Sequence, residues 1–157
     1  MSQLSAIYAA LASAPLTVGG VAAPARFGAT LIDRAESAHL PMRLLLPMGT
    51  ARLGATVATP RTFARGATQG GVLEIDWTIT DLLLWRGLAA GVGLQDSAAE
   101  LVAYTAAYAP LVVGRLRTPQ WSVTEINFPA IGGVEWPPQS ERWFLGVQAQ
   151  VTIHEIV

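Results

Sequence analysis

The last fifteen residues of the chain, 143–157, alternate between apolar and polar side chains almost without a break. Apolar residues fill the odd positions from Leu145 to Ile153. A period of two over this length is typical of a long β-strand that buries one of its faces. The opposite face is polar but uncharged, so it can lie in water, pair with another copy of itself or contact a partner protein. That face carries Gln148, Gln150, Thr152 and His154.

Three further segments have the patterns of β-strands. Leu73–Leu82 alternates cleanly, and Glu74 and Asp76 share its polar face. Met42–Leu46 is a short apolar strand between two prolines, and Trp121–Phe128 is the third candidate. The sequence therefore predicts a fold built around a sheet.

Two segments have helical spacing. The first, Gln3–Ala14, is amphipathic and places one apolar group on a single face: Leu4, Ile7, Tyr8 and Leu11. The second begins at a capping box, Ser97-Ala-Ala-Glu100, and we expect Pro110 to bend or end it. Its expected inward side chains are Leu101, Val102, Thr105 and Tyr108.

This order of elements predicts an α+β fold: one mostly antiparallel sheet with two helices packed on one face, plus a projecting loop or hairpin arm. Strands adjacent in sequence are expected to pair. The 157 residues fit a single domain, 1–157. The arm is assigned to residues 49–71, which are rich in Gly, Ala and Thr and contain no acid. Its three arginines, which we expect either to contact neighbouring subunits or to lie on a solvated loop, are Arg52, Arg61 and Arg65.

Composition restricts the classes of function. Charged residues make up 13% of the chain, against about a quarter in ordinary soluble domains, which suggests that part of the surface is covered in the working state. The net charge of −1 does not favour a nucleic-acid or membrane-surface binder. The absence of cysteine excludes disulfides, thiol catalysis and cysteine-ligated metal.

The chain offers few residues for catalysis. His39 and His154 have no further ligands at metal-site spacing, so both are interpreted as surface histidines. Glu74 and Asp76 are interpreted as part of a solvated strand face. The sequence contains neither a nucleophile elbow nor a phosphate-binding glycine loop. We therefore expect no enzymatic activity, no metal and no cofactor.

Tryptophan supplies one candidate for an interface. Among five tryptophans, Trp136 stands beside two prolines in a connection, where an aromatic side chain can anchor a partner. Burial in the core is the alternative for this residue.

The layout resembles the tail terminator proteins of long-tailed bacteriophages. The resemblance rests on the opening helix Gln3–Ala14, the segment 39–47 (HLPMRLLLP) with its leucine-proline strand entry, and the long arm that follows. It continues with the strand Leu73–Leu82, the helix after Asp96 and the closing strand 143–155 (WFLGVQAQVTIHE). It covers nearly the whole chain.

The resemblance implies a virion structural protein that is assembled in the host cytoplasm and located at the tail or neck. Such proteins form a homohexameric ring that caps the tail tube, stops its polymerisation and joins the tail to the head-tail connector proteins. The implied partners are thus other copies of the chain, the tail tube protein and the connector. DNA would pass through only as transiting cargo, and no membrane is involved.

Two alternatives remain open. The chain could be a head-completion or connector protein, which is also part of the virion. It could instead be a small hydrolase or ligand-binding domain, with the active cleft between the sheet and the helices and a closed pocket that contains Glu74, Asp76 or His154.

Overall fold

A computed structural model of the chain describes residues 3–46, 56–57, 74–88, 95 and 97–156. Of the expected arm, only Thr56–Val57 lies among the described residues. The helices are α1, Leu4–Ala12, and α2, Ala98–Arg115. The strands are β1 Thr17–Val18, β2 Val21–Ala22, β3 Ala25–Arg26, β4 Met42–Leu46, β5 Thr56–Val57, β6 Glu74–Gly87, β7 Trp121–Glu135 and β8 Trp143–Ile156.

The main sheet has the strand order β3-β4-β6-β8-β7, and β5 also pairs with β6. Among the described strands of this sheet, only β3 and β4 run parallel, and every other pairing is antiparallel. β1 and β2 form a separate hairpin. The predicted α+β class with a mostly antiparallel sheet is confirmed.

Both helices pack on one face of this sheet, as expected. The alternating residues of β6 and β8 point toward them and join the apolar faces of α1 and α2 in one core. Burying each large aliphatic side chain stabilises the fold by about 1.5–3 kcal/mol. The fully buried members of this core include Ile7, Leu11, Ile79, Leu83, Tyr108, Val151 and Ile153.

The other face of the sheet divides into an apolar half and a polar half. The segment 27–41, for which the sequence predicted no structure, packs over the apolar half. There Ala35 is buried and Leu31, Ile32 and Leu40 are partly buried. Beneath them lie side chains from four strands and one connection: Met42, Leu44, Leu46, Leu82, Leu84, Val134, Trp136 and Phe144.

Helix α2 departs from its sequence-based description at its N-terminal cap and at Val102. It begins after Ser97, but the Ser97 side chain makes no capping hydrogen bond, so the predicted capping box is wrong. The helix continues through Pro110 to Arg115. Val102, expected inward, is 62% exposed. The buried face follows the spacing of Leu101, Tyr104, Tyr108 and Val112, which leaves residue 102 on the opposite side.

The long strands extend further than predicted. β6 continues to Gly87 and β7 to Glu135. β6 and β7 do not pair, although α2 is the only described helix or strand between them in the chain, because β8 lies between them in the sheet. Within the described residues, no helix combines the length and apolar character needed to cross a membrane.

Candidate functional site: the polar face of the sheet

Three strands build the polar half of the second face, and their side chains line up in rows. In each row a β8 residue stands between a β6 residue and a β7 residue. The rows are Asp76–His154–Ser122, Thr78–Thr152–Glu125 and Thr80–Gln150–Asn127. These residues, together with Gln148 on β8, are called the polar sheet face below.

Exposure increases across the polar sheet face from β6 to β7. Thr80 on β6 is fully buried, Gln150 on β8 is half-buried and Asn127 on β7 is exposed. In the row of Asp76, exposure likewise increases from Asp76 through His154 to Ser122. β7 is the last strand of the sheet among the described residues. The open side of this face is therefore the side at β7.

Hydrogen bonds between neighbouring side chains connect several of these residues. The hydroxyl groups of Thr78 and Thr152 lie 3.2 Å apart, directly opposite each other on β6 and β8. The amide of Asn127 donates to the Glu125 carboxylate at 2.8 Å. Hydroxyl and amide groups outnumber carboxylates on this surface, which makes it suitable for contacts that do not depend on strong charge.

The structure brings Asp76 and His154 together on the face of the sheet opposite the helices, and not in the cleft between sheet and helices that the hydrolase alternative predicted. Nδ1 of His154 lies 2.8 Å from Oδ1 of Asp76. The interpretation of Asp76 as a solvated carboxylate is wrong, because it is only 6% exposed. Asp76 is buried because it lies on β6, the covered side of the face, next to the His154 imidazole of the adjacent strand β8. Ser122 occupies the third place in this row, so a carboxylate, an imidazole and a hydroxyl stand in sequence across three strands.

A second polar cluster, which the sequence analysis missed, lies under the helices. The Arg43 guanidinium donates to the Asp81 carboxylate, and both side chains are fully buried. Arg43 also donates to the Leu11 carbonyl at 3.2 Å, and the Tyr108 hydroxyl donates to Asp81 at 2.7 Å. The sequence signal was Arg43, the single charged residue of the otherwise apolar strand β4, together with Asp81 among the inward-facing positions of β6. The cluster joins β4, β6 and both helices.

Burial and charge shift the pKa values of this region. Burial raises the pKa of the Tyr108 hydroxyl well above its usual value, and the nearby Asp81 carboxylate raises it further. The pKa of Tyr104 is raised by the same two causes. Burial alone raises the pKa of Tyr8 to about 12. The Tyr8 hydroxyl donates to the Leu46 carbonyl at 3.0 Å.

Helix α1 is held by buried polar groups at both ends. At its start, the Glu155 carboxylate accepts a hydrogen bond from the backbone N–H of Gln3 and another, 2.7 Å long, from the Trp77 indole. At its end, Arg43 binds the Leu11 carbonyl. These contacts fix α1 to β4 and β8, so α1 is part of the rigid framework behind the polar sheet face.

The outcome of the prediction differs among the residues expected to contact partners. Arg52, Arg61 and Arg65 lie outside the described residues. Trp136, predicted as an interface anchor, is only 9% exposed, and its indole N–H donates to the Ile32 carbonyl at 3.1 Å. Of the two alternatives for Trp136, an interface anchor or a core residue, the structure therefore supports the core residue, because segment 27–41 covers it. The strand residues predicted for contact are half-buried on one common face: Gln148, Gln150, Thr152 and His154.

Among the described residues, no three His, Asp or Glu side chains lie close enough together to hold a metal ion. An open surface hollow lies at the opposite end of β8 from His154, between Gly87, Leu88 and Arg142–Phe144. Trp143 beside it is 47% exposed.

Comparison with family models, with curated proteins and with solved structures finds no match.

Proposed function

We propose that the protein is a virion structural protein of the tail terminator type, which forms a ring at the head-proximal end of a phage tail. In this role it stops polymerisation of the tail tube and joins the tail to the head connector. The observation that carries the proposal is the polar sheet face: a wide, rigid surface of hydroxyl and amide groups on a chain with little charge.

The charge of this face is compatible with a ring through which DNA passes. Its formal charges are the Asp76 carboxylate, which is paired with His154, and the Glu125 carboxylate. A strongly basic lumen would bind phosphate groups and hold back the DNA. A face of Thr, Gln and Asn residues adds no such binding, and its hydroxyl and amide groups can pair with a neighbouring subunit.

Ring closure requires a heterologous contact, in which one surface of a subunit meets a different surface of the next. Residues 49–71 contain no acidic residue, so the positive charges of their three arginines have no acidic partner within the segment: Arg52, Arg61 and Arg65. Guanidinium groups form bidentate pairs with carboxylates and suit such contacts. Glu125, on the open side of the polar sheet face, is an exposed carboxylate that such a group could meet.

The test compares two triple variants by negative-stain imaging. The first, R52Q/R61Q/R65Q, removes the cations of the arm. The second, R34Q/R86Q/R117Q, removes the same charge from exposed positions elsewhere. We expect rings from the wild type and from the second variant, and their loss in the first. Rings formed by the first variant would show that the arginines of residues 49–71 are not needed for the contact. The absence of rings in every sample would reject the proposal.

The row Asp76–His154–Ser122 favours a second candidate function, a small hydrolase. A carboxylate that orients an imidazole beside a hydroxyl is the arrangement of a hydrolytic triad. The test is hydrolysis of an activated ester by the wild type and by Ser122→Ala and His154→Ala. A rate that both substitutions abolish would favour the hydrolase and argue against the ring. A rate equal to that of buffer, or unchanged by either substitution, would exclude it.

A further inference from the structure

Residues 28–41, which cover the apolar half of the second sheet face, are called the strap below. Both ends of the strap are fixed in the fold. Just before it, the Phe27 ring stacks on the Tyr8 ring with centroids 6.0 Å apart, and just after it Met42 is fully buried in β4. Between these points the regular structure consists of two short 3-10 turns, Gly28–Thr30 and Ser37–His39. The strap therefore crosses the sheet face as an irregular segment that is anchored at its two ends.

The backbone of the strap is hydrogen-bonded locally. The Leu31 N–H donates to the Gly28 carbonyl, and the Leu40 N–H donates to the Ser37 carbonyl. The Glu36 N–H donates to Nδ1 of His39 at 3.1 Å. Within the described residues, no backbone-to-backbone hydrogen bond joins the strap to a helix or a strand. The ladder that holds the sheet together therefore does not hold the strap.

Two side chains from the connection between β7 and β8 bind the middle of the strap. The Trp136 indole N–H donates to the Ile32 carbonyl at 3.1 Å, and the Arg142 guanidinium donates to the Ala35 carbonyl at 2.8 Å. Ala35 is the one fully buried residue of the strap, whose other residues are exposed or half-buried. Two donors and a small apolar contact area thus attach the strap to the sheet.

The surface beneath the strap is different, because it consists of large apolar side chains that are almost completely buried. Leu44 and Leu84 are 0% exposed, and Phe144 is 4% exposed. Monomeric proteins rarely leave a contiguous apolar surface of this kind in water. The strap therefore has the position of a cover.

We propose that the strap is a detachable cover, which opens as a unit while the sheet and the helices stay folded, and that Trp136 and Arg142 hold it closed. Segments with few buried apolar contacts and few hydrogen bonds to the rest of a fold open at a lower free energy than the core. Opening would expose the apolar half of the second face beside the polar sheet face. The opening is a property of a single chain, so it goes beyond the proposed ring and does not depend on it.

Thiol labelling tests this proposal, since the chain has no cysteine of its own. Leu84→Cys places a thiol beneath the strap, and Leu83→Cys places one beneath the helices. The two leucines are neighbours on β6 and both are 0% exposed, so the substitutions are matched in residue type, strand and burial. We expect the thiol at position 84 to react with dithionitrobenzoate about tenfold faster or more, because position 83 reacts only after global unfolding.

Arg142→Gln, added to each cysteine variant, tests whether this side chain holds the strap. We expect it to raise the labelling rate at position 84 by about tenfold, as fits the loss of one charge-assisted hydrogen bond, and to leave position 83 unchanged. The control is Arg117→Gln, which removes the same charge from an exposed position and should change neither rate.

Equal labelling rates at positions 83 and 84 would overturn the detachable strap, because both thiols would then need global unfolding. An unchanged rate at position 84 in the Arg142→Gln background would overturn the role of Arg142. If a leucine variant does not fold, Val134→Cys beneath the strap and Val147→Cys beneath the helices form a second matched pair with the same expected difference.

Discussion

At the scale of single residues, the Arg43–Asp81 pair makes the clearest prediction about stability. Removal of one member of a buried ion pair leaves an uncompensated charge and costs about 3–5 kcal/mol. We expect Arg43→Met to lower the free energy of unfolding by this amount in urea denaturation. The double variant R43M/D81M removes both charges, and we expect it to recover most of the loss. A single variant as stable as the wild type would contradict the buried pair.

The three tyrosines predict how stability changes at high pH. The chain has three tyrosines in all, and burial raises the pKa of each: Tyr8, Tyr104 and Tyr108. Because a raised pKa in the folded state favours the protonated form, the stability from these groups is complete below about pH 10 and is lost as the pH rises above it. Absorbance of tyrosinate should therefore appear above pH 10 in the native protein. A native titration identical to that in urea would contradict their burial.

Residue roles could be predicted only where they follow from a local pattern. The common face of Gln148, Gln150, Thr152 and His154 follows from strand alternation alone. The burial of Trp136 and Asp76 does not, because it depends on segments distant in sequence: residues 27–41 for Trp136 and the adjacent strand for Asp76. The pairing of Arg43 with Asp81 is likewise a consequence of strand order.

At the scale of elements, Gly146 is a point of close approach between β8 and β6. A side chain there would lie 1.9 Å from the Leu83 carbonyl oxygen, which no small adjustment relieves. We expect Gly146→Ala to destabilise the protein by about 3 kcal/mol or more, at the upper end of single substitutions. The matched control is Gly133→Ala on β7, where the nearest atom is a Trp143 ring carbon at 3.7 Å.

We expect the control to change the free energy of unfolding by no more than about 0.5 kcal/mol. Thermal or urea denaturation of the two variants side by side measures the difference. Equal stability of Gly146→Ala and Gly133→Ala would contradict the close approach of β8 and β6.

Elements with a strong period were the ones that sequence predicted well. Met42–Leu46 has the predicted bounds, and the closing strand has nearly the predicted ones. The ends of β6 and β7 were not predicted, because Leu83 to Gly87 and Pro129 to Glu135 lack the alternation of an exposed strand. In α2, Val102 was assigned to the wrong side because its neighbours are apolar on both faces of the helix.

At the scale of the whole molecule, the class of fold followed from the order of the elements, but the strand order did not. The position of β8 between β6 and β7 places the strand that carries Gln148, Gln150, Thr152 and His154 next to the last described strand of the sheet. This position produces the rows of the polar sheet face. The surface proposed for ring contacts is therefore a product of topology as much as of sequence pattern.

The mass of the purified protein in solution, measured by multi-angle light scattering over a range of concentrations, tests the proposed ring most directly. The ring predicts a species of about six times the 16.6 kDa chain. A protein that stays at the mass of one or two chains up to the highest soluble concentration would contradict it.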